Sequence, residues 1–223
     1  MFNPKLSPKF SRCSESGYTL LESIMAMVVV SILMVGISPV LGFAFATRVQ
    51  ARRIELASRA ANSYINAVRA DPINANLVDL NPGNPNAGPT ATGSLECDAG
   101  RACTTPANLF CVDNDGSGGC ETDSPTDMIV QGIGINECRD NLQHGYQLIV
   151  RVYRADAFAQ SGQLEGANDD GSSNVGSSRV GLADPRDPLV EVRTEISPSG
   201  TGNEVFGSLR ERLEGCSSDD EGD

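Results

Sequence analysis

Residues 23–47 form a run of 25 positions without a single ionisable side chain. As a helix this run would span roughly 37 Å, enough to cross a ~30 Å hydrocarbon layer. The preceding residues 1–17 are polar and basic, with Lys5, Lys9 and Arg12 against Glu15. That asymmetry favours a cytoplasmic amino end, although Arg48, Arg52 and Arg53 behind the run weaken it. Ala44-Phe45-Ala46 has the form of a secretory cleavage site. The apolar run, however, exceeds the ~7–15 residue core of such signals. A transit peptide should be Arg-rich and amphipathic, which this segment is not. A plain single-pass anchor leaves Glu22 unexplained. A carboxylate inside a bilayer costs about 2.5–3.5 kcal/mol on insertion scales and is by default a functional-site hypothesis.

The string around that acid is Ser16-Gly17-Tyr18-Thr19-Leu20-Leu21-Glu22-Ser23. It resembles the type IV prepilin signature, in which Gly, an aromatic residue, Thr, two aliphatics and Glu join a basic leader to a long apolar helix. The resemblance implies cleavage after Gly17 by a prepilin peptidase and N-methylation of the new first residue, Tyr18. It also implies an assembly role for Thr19, Leu20, Leu21 and Glu22, and for Pro39 as a helix-loosening proline. An α-amino group is cationic near neutral pH. Glu22 of an incoming subunit would then supply the counter-ion for the Tyr18 amine of a neighbour, since a paired buried charge costs far less than a lone one. Other pilin or pseudopilin subunits and an inner-membrane assembly platform are the implied partners.

Beyond Thr47, apolar residues at Val49, Leu56, Ala57, Ala60, Tyr64, Ile65 and Val68 keep helical spacing. Asp71-Pro72 supplies the stop. One helix over about residues 19–70 is predicted, loosened near Pro39 and Gly42, with an amphipathic second half and an Arg-rich outer face. Residues 71–128 are rich in Pro, Gly, Asn and Asp and read as loop. Strands are predicted over residues 146–153 and 190–196, the latter with one buried and one wet face. Residues 128–135 are a weaker strand candidate, residues 206–213 either strand or short helix, and residues 162–181 a mobile stretch. The expected fold class is α+β: a long amino-terminal helix, transmembrane then amphipathic, packed on a small antiparallel sheet with long disulfide-stapled loops, as in pilins. The organisation follows as leader 1–17, membrane and assembly half 18–47, amphipathic half 48–70, and a loop-rich extracytoplasmic domain with an acidic tail over 71–223.

Seven cysteines in 223 residues suggest an oxidising compartment. Cys13 would leave with the leader. Cys97, Cys103, Cys111, Cys120, Cys138 and Cys216 could form three disulfides in fifteen pairings. Their spacing is not that of zinc or thioredoxin-type sites. Asp113-Asn114-Asp115-Gly116-Ser117-Gly118 resembles the start of an EF-hand loop, but position 12 is Ser124 rather than Glu. Asp113, Asp115, Ser117, Glu121 and Asp123 are therefore weak calcium candidates, and no other cofactor is expected.

The net charge of −12 leaves no basic surface for nucleic acid. Histidine occurs once, at His144, and lysine only at Lys5 and Lys9. That removes most catalytic vocabularies, and the chain reads as a structural subunit rather than an enzyme. The long loop and the cysteines favour a minor pilin or pseudopilin. The stretch Thr47-Arg48-Val49-Gln50-Ala51-Arg52-Arg53-Ile54-Glu55-Leu56-Ala57 resembles pseudopilins of cyanobacterial hormogonium polysaccharide secretion, which would imply polymer export and motility. Adhesion, twitching, DNA uptake or type II secretion are the alternatives within the class. A membrane-tethered binding module without a filament is the alternative outside it.

Overall fold

A computed structural model describes residues 19–71, 77–136, 145–168, 172, 184–197, 203, 205–207 and 210. Gly17, Tyr18, Cys138, His144, Cys216 and the acidic tail lie outside them. The chain divides into two units, Met1–Phe45 and Ala46–Asp223.

Helix α1 runs Leu20–Ala70, within a residue of the predicted bounds. Its start is fixed locally. Thr19 Oγ1 accepts a hydrogen bond from the Glu22 amide at 3.3 Å, which satisfies one of the donors that a helix start leaves open. In the first unit the helix carries only apolar side chains and hydroxyls beyond Glu22. Pro39 sits inside it without ending it.

In the second unit the helix buries Ala57, Ala60, Ala61, Tyr64, Ile65 and Val68. These recur every three or four positions and make one face. Val49, expected on that face, is instead half exposed. The face packs on a five-stranded sheet of β1 (Asp79–Leu80), β3 (Leu109–Val112), β4 (Met128–Ile135), β5 (Tyr146–Arg154) and β7 (Val190–Ile196). Strand β4 is central: β5 lies on one side, and β3 and β1 share the other. Strand β7 closes the far edge of β5. The sheet is antiparallel except for β1, which pairs parallel to β4, so the expected antiparallel sheet is in fact mixed.

Period-2 alternation sorts the sheet residues. Met128 and Val130 of β4 join Tyr146, Leu148, Val150 and Val152 of β5 on the helix side. The small residues Ala57, Ala60 and Ala61 bring α1 close to the strands. At Gly132 the approach is tightest, because a Cβ there would stand 1.7 Å from the Tyr64 hydroxyl oxygen. Tyr64 donates that hydroxyl to the Leu77 carbonyl and meets Phe110 edge-on, with ring centroids 5.4 Å apart.

The opposite face is covered too, which the sequence did not foretell. A two-stranded ribbon of β2 (Thr90–Ala91) and β6 (Gly162–Gln163), with a short 3-10 helix at Ala155–Ala159, contributes to a second core. Leu109, Cys111, Ile129, Tyr153, Phe158 and Leu164 meet there. The start of the stretch expected to be mobile is thus a paired strand. Arg151 reaches this face fully buried. Its Nε donates to Glu191 Oε2 at 3.0 Å, and a terminal nitrogen donates to the Ala87 carbonyl at 3.2 Å. Glu191, predicted on a wet face, has no exposed side-chain surface. Tyr153 donates to the Glu165 carbonyl at 2.7 Å. Burial raises the Tyr153 phenol's pKa, and the Arg151 guanidinium opposes that rise.

Two disulfides are present among the described residues, Cys97–Cys103 and Cys111–Cys120. Both join near neighbours within the long loop and its strand β3. The predicted strand-or-helix segment near residue 206 is helical at Val205, Phe206 and Gly207.

Candidate functional site

The start of α1 combines a capped helix terminus, one acid and a long greasy surface. Glu22 occupies the third helical position after its Thr19 cap, the arrangement of a capping box. Its amide also reaches the Thr19 carbonyl at 3.0 Å. An acid in the first turn suits the positive end of the helix dipole, so Glu22 favours helix initiation at this point. Its side chain is exposed.

Around and beyond it the hydrophobic surface has no cover. Leu20 is 80% exposed, Val35 75% and Phe45 67%, and no large apolar residue from Leu20 to Phe45 falls below 48%. Water tolerates no contiguous apolar surface of that extent. A bilayer or a sheath of other helices does. Polar groups within the run are satisfied inside the helix, as a hydrocarbon medium requires. Ser31 donates its hydroxyl to the Met27 carbonyl at 2.7 Å, and Ser38 to the Met34 carbonyl at 2.8 Å. Pro39 has no N–H to offer the Val35 carbonyl. It therefore removes one rung of the helical ladder directly after Ser38.

The structure brings Thr19, Leu20, Leu21 and Glu22 together on the first turn and places Pro39 deep in the same apolar segment. Gly17 and Tyr18, the expected scission pair, lie outside the described residues.

A second constellation lies in the connection between β3 and β4. Asp113 follows β3 directly and Asp127 directly precedes β4. Asp113 accepts backbone hydrogen bonds from Asp115, Gly116 and Gly118. The donors of Gly118 and then Gly116 hold its carboxyl below the usual carboxylate range. Gly116 and Gly118 have φ of 82° and 100°, the left-handed region in which glycine avoids a side-chain penalty. One carboxylate oxygen each from Asp113, Asp115 and Asp127 lies within 4.8 Å of the other two. Glu121 and Asp123, the other expected acids, are exposed and stand outside this group. The Ser117 hydroxyl donates instead to the Gly119 carbonyl. Asp127 was not foreseen. The only hint in the sequence is an acid abutting a strand, a weak signal because it lies 14 positions from Asp113.

Against known proteins, residues 12–38 match a family profile described as the prokaryotic N-terminal methylation motif. The match spans Gly17, Tyr18, the Thr19 cap and Glu22, and extends into the apolar helix. No curated protein and no solved structure matches the chain. The motif supports a type IV pilin-like or pseudopilin subunit, structural rather than enzymatic, and implies processing by a prepilin peptidase and assembly with other pilins. With the apolar helix behind it, the motif fits a single-pass protein anchored in the inner membrane. The helix packed on a small mixed sheet, with its two disulfides, is an α+β pilin-like fold.

Proposed function

We propose that the chain is a minor pilin-like or pseudopilin subunit cut between Gly17 and Tyr18 and methylated on the Tyr18 amine. It inserts with its amino end in the cytoplasm. After cleavage it moves from the inner membrane into a helical bundle of subunits, with the disulfide-bonded domain on the outer side. The observation that carries this reading is the methylation-motif match over residues 12–38, set on a helix whose apolar surface is bare from its first turn. In the filament the Tyr18 amine of one subunit meets Glu22 of the next, and this pair sets the axial register.

Within the class we favour a pseudopilin of a polysaccharide-exporting, motility-linked system. What supports that choice is the likeness of residues 47–57 stated above. Arg48, Arg52 and Arg59 of this segment and its continuation are exposed. The mature chain would carry 14 basic against 28 acidic residues, so neighbouring subunits offer acid for these cations to meet.

Intact-mass analysis of the purified protein tests the processing step. The expected amino terminus is methylated Tyr18. An uncut leader would support a tethered module and overturn the filament reading. Glu22→Ala should leave cleavage intact and reduce the amount of subunit in sheared surface filaments by immunoblot. Normal incorporation of that variant would remove the register role of Glu22. Deleting the gene and scoring exported polymer, motility and surface filaments separates the systems.

A further inference from the structure

We propose that Asp113, Asp115 and Asp127 form a calcium site that closes the β3–β4 connection. Three acids close together are not by themselves a site. The decisive observation is Asp127, which has no exposed surface. Its Oδ1 accepts the Asn114 amide at 3.0 Å, whereas its Oδ2 is buried with no hydrogen-bond partner. Buried carboxylate oxygens are almost always partnered, because leaving one open forfeits its hydration without return. Here the open oxygen belongs to a group whose neighbours are two further carboxylates. A cation satisfies the lone pairs and cancels the repulsion together.

The donor set selects the ion. All three ligands are carboxylates, and the Ser124 hydroxyl stands beside them. It bonds Asp115 Oδ2 at 2.8 Å and accepts from the Asp127 amide at 3.3 Å. Hard oxygen donors of this kind suit calcium, magnesium or manganese rather than zinc or copper. The nearby thiols are engaged in the Cys111–Cys120 disulfide and offer no soft ligand. Calcium binds oxygen at about 2.3–2.6 Å, so two of its ligands stand up to about 5 Å apart. The three oxygens, all within 4.8 Å of one another, fit that span. Magnesium demands tighter, near-octahedral geometry, which an irregular glycine-rich loop does not provide. Water completes the six to eight ligands.

The position gives the ion a structural task. Asp113 and Asp127 flank the two ends of the connection, and the disulfide from β3 crosses it. Cation and disulfide together hold this connection to β3, whose Cys111 lies with Cys120 in the second core. The site does not depend on filament assembly.

The test uses the full mature chain in detergent micelles, disulfides intact and metal removed by chelation. Calorimetric titration with calcium chloride should give one ion per chain with a Kd of about 10⁻⁵ to 10⁻³ M, the range of sensor and extracellular calcium modules. Magnesium chloride should bind at least tenfold more weakly. Asp127→Asn keeps the Oδ1 acceptor for Asn114, and Asp115→Asn alters an exposed side chain, so both variants should fold. Each should weaken calcium binding at least tenfold, while Glu121→Gln leaves it unchanged. Calcium should raise the Tm of the native chain and fail to raise that of Asp127→Asn. The proposal is overturned by absence of calcium heat up to about 10 mM, by binding that survives in both Asp variants, or by equal weakening in Glu121→Gln.

Discussion

The close approach of α1 to the centre of the sheet makes Gly132→Ala an informative single substitution. An added Cβ would lie 1.7 Å from the Tyr64 oxygen, 2.5 Å from its Cζ and 2.8 Å from Cε1. The ring is fully buried and flanked by Phe110, so it cannot swing into solvent without opening the core. Overpacking of this kind costs about 1–3 kcal/mol. Displacing the ring also strips the half-buried Leu77 carbonyl of its donor, a further loss of about 1 kcal/mol. Alanine restricts the unfolded chain and returns about 0.4–1 kcal/mol. The net expectation is a loss of roughly 1–3.5 kcal/mol. For a domain of this size that lowers Tm by roughly 2–14 °C. Circular dichroism melts and urea titrations of the full chain in micelles measure it. Tyr64→Phe removes the nearest clashing atom and alone should cost about 1 kcal/mol. Combined with Gly132→Ala it should recover about 1 kcal/mol relative to the sum of the single changes, because the ring carbons still crowd the Cβ. A Gly132→Ala variant within about 0.5 kcal/mol of the native chain, or a strictly additive double variant, would refute the packing account.

Two further outcomes follow from the buried polar groups. Arg151 pairs with the Glu191 carboxylate, whereas Glu191 also receives two hydrogen bonds from Arg193, each at 3.0 Å. Glu191→Gln should therefore cost about 3–5 kcal/mol by stranding a buried cation. Arg151→Met leaves Glu191 with Arg193 and should cost at least about 1 kcal/mol less; urea unfolding that ranks the two variants equal or in reverse order would contradict this. Tyr64, Tyr146 and Tyr153 all have their phenol pKa raised by burial, Tyr146 to about 12 with the Asp71 charge adding to the effect. The unfolded chain releases these protons near pH 10 while the native chain holds them. Stability is thus fully present below about pH 10 and falls as pH rises toward about 12. Tyrosinate absorbance from three of the four tyrosines should appear together with loss of circular dichroism, and titration of all four near pH 10 in a folded chain would exclude the burial described.

Much of the architecture was legible because its signals are local. The bounds of α1 follow from Thr19 before the apolar run and Asp71-Pro72 behind it. Strands β5 and β7 announce themselves by β-branched alternation. Strand β4 reads weakly because Gly132 and Gly134 interrupt its apolar pattern, yet Gly132 is what lets Tyr64 sit on the sheet centre. The two-residue strands β1, β2 and β6 are too short to show any period. Alternation also reports only which residues share a face, and says nothing of what covers it. Glu191 looked wet because the segments that bury its side of the sheet, around Ala87 and Glu165, come from distant loops. Asp127 was hidden for the same reason: hairpin closure, not sequence proximity, brings it to Asp113.

Glu22 shows how local and collective demands meet in one side chain. An acid in the first turn gains about 0.3–1 kcal/mol from the helix dipole, whereas a carboxylate at the centre of a bilayer costs about 2.5–3.5 kcal/mol. With the proposed cytoplasmic amino end the acid lies near the headgroups, where water and the positive end of the helix dipole hold its charge. In the proposed filament the same turn leaves the headgroups and enters a core of packed helices without water. There water no longer solvates the charge, the dipole alone does not offset its desolvation, and a counter-ion becomes necessary. The amine that the proposed cleavage would free on Tyr18 lies four residues away in the chain, so a neighbouring subunit shifted along the bundle axis would present it. On the proposed reading the acid is tolerated in the membrane and demanding in the assembly. That difference would let a single residue discriminate a correctly seated subunit from a misplaced one.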